Sequence, residues 1–168
     1  MEPLYIRPAV AEDLPAIREI YARARAFMRE TGNPNQWKNM TPTEAQTLGD
    51  LAGNNLFVLT DTEGIAGVFA LFTEPDPTYA RIDGAWPNDL PYVTIHRIAA
   101  SGRRGGIVAA AVGFARTKGD RMRIDTHADN RIMQAALGKL GFEKCGIIYL
   151  ENGEPRIAFQ LEFDRQKV

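Results

Sequence analysis

His96-Arg97-Ile98-Ala99-Ala100-Ser101-Gly102-Arg103-Arg104-Gly105-Gly106-Ile107-Val108 is the stretch whose reading decides the fold. Its first five residues close a β-rich run from Tyr92 to Ala100, and Ser101 to Gly106 forms a glycine- and arginine-rich turn. An alanine-rich helical run then extends from Ile107 to about Lys118, with Gly119 as the expected C-cap. Glycines let backbone N–H groups approach an anion, the start of a helix adds a positive dipole, and Arg103 and Arg104 add charge. The turn therefore has the chemistry of a phosphate cradle. It is neither a Walker A loop, which needs Gly-Lys-Ser/Thr, nor a Gly-x-Gly-x-x-Gly fingerprint. The same residues would also make a plain strand-to-helix turn.

Upstream, Leu4 to Arg7 reads as a strand ended by Pro8. Leu14, Ile17, Tyr21, Ala24 and Met28 then recur at spacings of three and four, as on an amphipathic helix that stops at Gly32. Thr41-Pro42-Thr43-Glu44 reads as an N-cap with Pro at the first helical position, opening a helix that carries Leu48 and Leu51 and ends near Gly53. Leu56 to Thr60 and Ile65 to Phe72 flank the turn Asp61-Thr62-Glu63-Gly64 and should pair antiparallel. Residues 73–90 hold Pro75, Pro77, Pro87 and Gly84, a loop with a short strand expected at Tyr79 to Ile82.

Downstream, Arg123 to Thr126 is a strand, and Asp129 is expected to cap a helix from Asn130 to about Lys139 that Gly141 ends. Glu143 to Leu150 and Arg156 to Phe163 flank Asn152-Gly153, a strong hairpin signal. The order β α α β β β α β α β β implies an α/β fold in one domain. Its sheet is mixed, mostly antiparallel and twisted, with a central parallel, right-handed β-α-β crossover and helices on both faces.

Composition narrows the class. With 20 Lys+Arg against 21 Asp+Glu among 168 residues, the net charge of −1 supplies no counterion-release drive toward nucleic acid. The one cysteine, Cys145, forms no intrachain disulfide, no signal-peptide profile opens the chain, and no apolar run approaches the ~20 residues that span a bilayer. A cytoplasmic location with no nucleic-acid or membrane partner is the expectation, and a homodimer is compatible with it. No Cys/His cluster has metal-ligand spacing, so no metal is expected.

The chain resembles the GCN5-related N-acetyltransferase superfamily over nearly its whole length. The family's Arg/Gln-x-x-Gly-x-Gly/Ala loop corresponds to Arg103-x-x-Gly106-x-Val108, with Val108 in place of the last small residue. A later pattern, Asn followed eleven residues on by Gly-Phe, corresponds to Asn130 with Gly141-Phe142. The resemblance implies an acyltransferase that takes acetyl-CoA as acyl donor and acetylates a small-molecule amine by direct attack in a ternary complex. Arg103, Arg104, Gly105, Gly106, Ile107 and Val108 would hold the diphosphate, Ile98, Ala99 and Ala100 would pair with the pantetheine arm, and Asn130 and Met133 would contact it. More narrowly, Gln36-Trp37, His96-Arg97-Ile98, Ile124-Asp125-Thr126-His127, Asn130 and Cys145-Gly146 resemble a bacterial branch whose substrates the resemblance does not name. A non-catalytic acyl-CoA-binding or sensing domain of the same fold is the alternative.

Direct transfer needs a base for the amine and an acid for the departing thiolate. Many family members place a Tyr acid seven residues after the helix Asn; here that position is Leu137. His96 is the first candidate base, because imidazole titrates near neutrality and alternation puts it on one face with Thr94 and Ile98. Its other reading is a histidine packed on a half-buried sheet. His127, two residues after Asp125, would form a carboxylate–imidazole pair with it or satisfy backbone groups before the next helix. Tyr149 is a substitute acid or a packing residue. Gln36, Trp37 and Trp86, in poorly patterned loops, are read with Asp125 as acceptor-site residues, and the two Trp equally well as loop anchors.

Overall fold

A computed structural model describes residues 2–164. It contains strands β1 (Tyr5–Pro8), β2 (Leu56–Asp61), β3 (Gly64–Phe72), β4 (Asp83–Gly84), β5 (Val93–Ala100), β6 (Arg121–Thr126), β7 (Glu143–Tyr149) and β8 (Pro155–Glu162). Its helices are α1 (Leu14–Glu30), α2 (Glu44–Ala52), α3 (Ile107–Ala115) and α4 (Arg131–Lys139). The eight strands run in the order β1-β2-β3-β5-β6-β8-β7-β4. β5 and β6 pair in parallel, and the β1–β2, β2–β3, β4–β7, β6–β8 and β7–β8 pairs are antiparallel, as the mixed α/β reading requires.

The chain divides into two compact units. The first comprises the chain before Phe72 together with His96–Phe114, and the second Phe72–Ile95 together with the chain from Ala115 onward. In the first unit, β2 and β3 are apolar on both faces, which is why the sequence shows continuous rather than alternating hydrophobic runs. Ile17, Ile20 and Tyr21 of α1 pack with Leu56, Val58, Val68 and Ala99, and Phe57, Phe69 and Phe114 form a separate aromatic group with ring centroids 5.0–6.0 Å apart. Gly67 permits a close approach here: a Cβ on it would lie 2.9 Å from Ile107 and 3.1 Å from the Ala99 carbonyl oxygen. The start of α3 and strand β5 can therefore both close onto β3. In the second unit, Tyr79, Ile148 and Ala158 are buried together against Ile82, Trp86, Tyr92 and Leu150.

Several boundaries differ from expectation for identifiable reasons. Thr43, not Thr41, caps α2, because its hydroxyl accepts from the Gln46 amide and Gln46 returns a bond to the Thr43 amide; Pro42 thus precedes the cap. In the same helix Leu48 is exposed, while Thr47 and Asp50 are buried. A buried acid with a charged partner has displaced a leucine from the inner face. Asn130, not Asp129, caps α4 by accepting from the Met133 amide at 3.0 Å. The short strand of the 73–90 loop is Asp83–Gly84 rather than Tyr79 to Ile82, since Pro77–Tyr79 forms a 3₁₀ turn with Asp76 as its cap. α3 stops at Ala115, short of Lys118, so Gly119 is not its C-cap; Gly119 instead packs against Val93.

Candidate functional site

The first unit carries the glycine turn. Ser101 donates its amide to the Ala66 carbonyl at 2.9 Å, anchoring the turn to β3, and Gly102 and Gly106 both hold φ +83°. The Ala110 amide bonds to the Gly106 carbonyl at 3.0 Å, making Gly106 the N-cap of α3. The amides of Ile107, Val108 and Ala109 therefore have no acceptor within the helix. No heavy atom lies within 4 Å of where a Cβ on Gly102, Gly105 or Gly106 would project. This is an open, amide-lined surface at a positive helix end, and it fits a phosphate group.

The two arginines of the turn do something more specific than add charge. Arg103 makes a two-pronged pair with Asp61 at 2.8 and 2.9 Å and reaches Glu63 at 3.0 Å, while Arg104 reaches Asp61 at 3.3 Å. Arg103 is the main reason that the Asp61 carboxyl is held down at about 2. The guanidinium groups tie the turn to the β2–β3 hairpin, which leaves the backbone amides as the groups of the turn that could hold an anion.

Upstream on β5, His96 is half-buried, and Arg97 stands in the left-handed region with φ 53°. That residue interrupts the strict alternation which would put His96 and Ile98 on one face. Arg97 pairs with the buried Asp50 at 2.7 and 2.8 Å, and its carbonyl accepts from the Tyr21 hydroxyl at 2.9 Å. On the loop between α1 and α2, Trp37 packs edge-on against Tyr21 at 5.7 Å, and the Gln36 amide oxygen accepts from Asn33. The Oδ1 atom of Asn33 is buried without a partner. Trp37 thus anchors its loop on the core. Local pattern placed Tyr21 only in the apolar stripe of α1 and did not single out Asp50, although an Asp one residue before Leu51 on a short amphipathic helix is a usable signal.

The second unit carries the remaining candidates. Asp125 accepts a hydrogen bond from the Tyr79 hydroxyl at 2.7 Å, and burial pushes the Tyr79 phenol well above its ordinary range. His127 accepts the Asp129 amide on Nδ1 at 3.0 Å, with the Asp129 carboxylate 3.6 Å away. Asp125 and His127 therefore each have another partner in place of the carboxylate–imidazole pair read from their spacing. Because Nδ1 is an acceptor, the neutral ring carries its proton on Nε2. The Asn130 Oδ1 is occupied by its capping bond, Met133 is half-buried beside it on α4, and Leu137 is fully buried.

Trp86 is an anchor as well. Its indole N–H donates to the Tyr79 carbonyl at 2.9 Å, and its ring and that of Tyr92 stack on the Arg123 guanidinium at 4.1 and 4.3 Å. Arg123 also donates to Gln160 and to the Asn88 carbonyl, and burial lowers its pKa. Tyr149 donates to Asp83 at 2.5 Å, a bond that raises its pKa and makes it a weaker acid. Among the described residues no group of three or more His, Cys, Asp or Glu could hold a metal ion, and no helix is long and apolar enough to cross a membrane.

No protein-family model and no curated protein sequence matches the chain. Solved structures do match. A GNAT-family acetyltransferase from Streptococcus agalactiae is 29% identical, with 96% of each chain covered and a TM-score of 0.86. The ribosomal-protein-S18-alanine N-acetyltransferase of Escherichia coli is 18% identical, with 99% of each chain covered and a TM-score of 0.60. YncA of Salmonella typhimurium, a putative acetyltransferase solved with its cofactor acetyl-CoA, is 16% identical over 98% of this chain and 96% of its own, with a TM-score of 0.62.

Proposed function

The chain is a member of the GCN5-related N-acetyltransferase superfamily, and on that premise we propose that it moves an acetyl group from acetyl-CoA to an amine. The observation that carries the proposal is the glycine turn: positive-φ glycines with open space around them, at the amide end of α3, following a strand. Acetyl-CoA, when bound, supplies an acyl carbon joined to a thiolate leaving group. The amides of Gly106 to Val108 hold the diphosphate, Ile98 to Ala100 offer backbone to the pantetheine arm, and the side chains of Asn130 and Met133 contact it. His96 takes the proton from the amine as nitrogen bonds to the acyl carbon and the carbon–sulfur bond breaks. His127, whose Nδ1 accepts the Asp129 amide, offers Nε2–H as a hydrogen-bond donor when the ring is neutral, and the base role is given to His96 on the cofactor strand. Gln36, Trp37, Trp86 and Asp125 are assigned to the acceptor side, with their present partners fixing their orientation.

A second reading, an acyl-CoA-binding domain without activity, is favoured by one observation. The position where many relatives carry a Tyr acid is Leu137, which lies fully buried in the core and cannot donate a proton. Acetyl transfer from radiolabelled acetyl-CoA to polyamines, amino acids, arylalkylamines and aminoglycosides separates the two. Labelled product supports the transferase; tight acetyl-CoA binding with no product across all four classes supports the second reading.

A further inference from the structure

Arg97 holds φ 53° inside strand β5, a conformation that a residue with a Cβ keeps only when its surroundings enforce it. The enforcement comes from two helices of the same unit. Asp50 of α2 accepts from Nε and Nη2 of Arg97 at 2.7 and 2.8 Å, and Tyr21 of α1 donates its hydroxyl to the Arg97 carbonyl at 2.9 Å. Asp50 and Tyr21 are 6% and 3% exposed, so each needs this partner: a buried carboxylate or phenol without one is costly. One set of bonds holds the side chain and the other holds the peptide that follows. Rotation of Arg97 back into the extended region would break all three.

The position of this kink gives it a role. Arg97 stands three residues before Ala100, roughly 10 Å along the strand at ~3.3 Å per residue, on the side away from the glycine turn. If a pantetheine arm leaves the turn and lies along Ile98 to Ala100, its acyl end lies toward Arg97. We propose that Tyr21 and Asp50 are positioning residues, which hold the left-handed conformation of Arg97 and thereby set the seat of the acyl group on β5. This rests on the acyl-CoA reading above.

The test uses the full chain, with acetyl-CoA carrying ¹³C at the acetyl carbonyl and unlabelled CoA as probes. Calorimetry reads both affinities, and NMR reads the bound carbonyl shift, which a merely structural residue would not move. Asp50→Asn, Tyr21→Phe and Arg97→Val are expected to displace the bound carbonyl signal and weaken acetyl-CoA by roughly tenfold, while CoA binding, carried by the turn, stays within about twofold. Arg97→Gly combined with Asp50→Asn, so that no buried carboxylate is left without its partner, is expected to keep the wild-type signal, because glycine adopts positive φ without help. In that background Tyr21→Phe should change nothing further. An unchanged carbonyl signal in the folded Tyr21→Phe and Asp50→Asn variants, or an Arg97→Gly/Asp50→Asn double variant as damaged as Arg97→Val, overturns the positioning role while the transferase reading stands. A wild-type chain that binds neither probe overturns the transferase reading itself.

Discussion

Replacing Gly106 by Asp tests the phosphate cradle where backbone and charge act together. Gly106 holds φ +83°, caps α3 through its carbonyl, and has open space where a Cβ would project. Gly106→Ala therefore meets no steric obstacle and costs only the left-handed conformation, roughly 1–2 kcal/mol. For a chain of this size that is about 2–8 °C in melting temperature. Gly106→Asp carries the same strain, partly offset because Asp is favourable at a helix N-cap, so the variant should fold. The carboxylate, however, stands where a phosphate must come. At ~4 Å and an effective dielectric of about 20, one pair of like charges costs about 4 kcal/mol, roughly three powers of ten in affinity.

At 100 times its Kd, acetyl-CoA should stabilise the wild type by ~2.7 kcal/mol, about 5–10 °C. At the same concentration the Gly106→Asp variant would be at roughly a tenth of its own Kd and show no measurable shift. Gly106→Ala should start lower and keep most of the shift. Thermal melts by circular dichroism with and without ligand read all three. A full wild-type shift in Gly106→Asp would refute the cradle.

Asp61 has a carboxyl lowered from 3.8 to about 2 by Arg103, so its ion pair stabilises the folded state above pH ~4 and that contribution is lost as pH falls toward 2. Asp61→Asn should melt below the wild type at neutral pH, with the gap closing in acid, as a pH series of melts will read. Asn130→Ala should lose about 1 kcal/mol of capping as well as acetyl-CoA affinity. Asn130→Asp, which keeps an oxygen for the Met133 amide, should retain the stability and still bind acetyl-CoA more weakly by calorimetry. Once an acceptor is in hand, His96→Gln should lower kcat by roughly 10²–10⁴ without altering acetyl-CoA affinity. Wild-type kcat in that variant would return His96 to a packing role.

The order of elements was legible because its signals are local. Asp61-Thr62-Glu63-Gly64 and Asn152-Gly153 each sit between β-rich runs, and both hairpins form in antiparallel register. The glycine turn between a β-rich and an alanine-rich run announced the parallel crossover in a dozen residues. What local pattern could not supply is the choice of partner at long range. Arg103 and Arg104 find Asp61 across 42 and 43 residues, Arg97 finds Asp50 across 47, and Tyr21 finds the Arg97 carbonyl across 76. A chain with 21 acids offers each arginine many equivalent mates, and only packing selects among them. The same physics moved Leu48 outward and Asp50 inward, since burying a charge beside its counter-charge outranked the apolar periodicity of a nine-residue helix. It also gave Trp86 a guanidinium to stack on and gave Asp125 to Tyr79 rather than His127. The sequence alone determined the fold and singled out the turn proposed to hold an anion; the tertiary structure decided which charges are spent on holding the turn and the strand in shape, because those pairings exist only once distant segments have closed on one another.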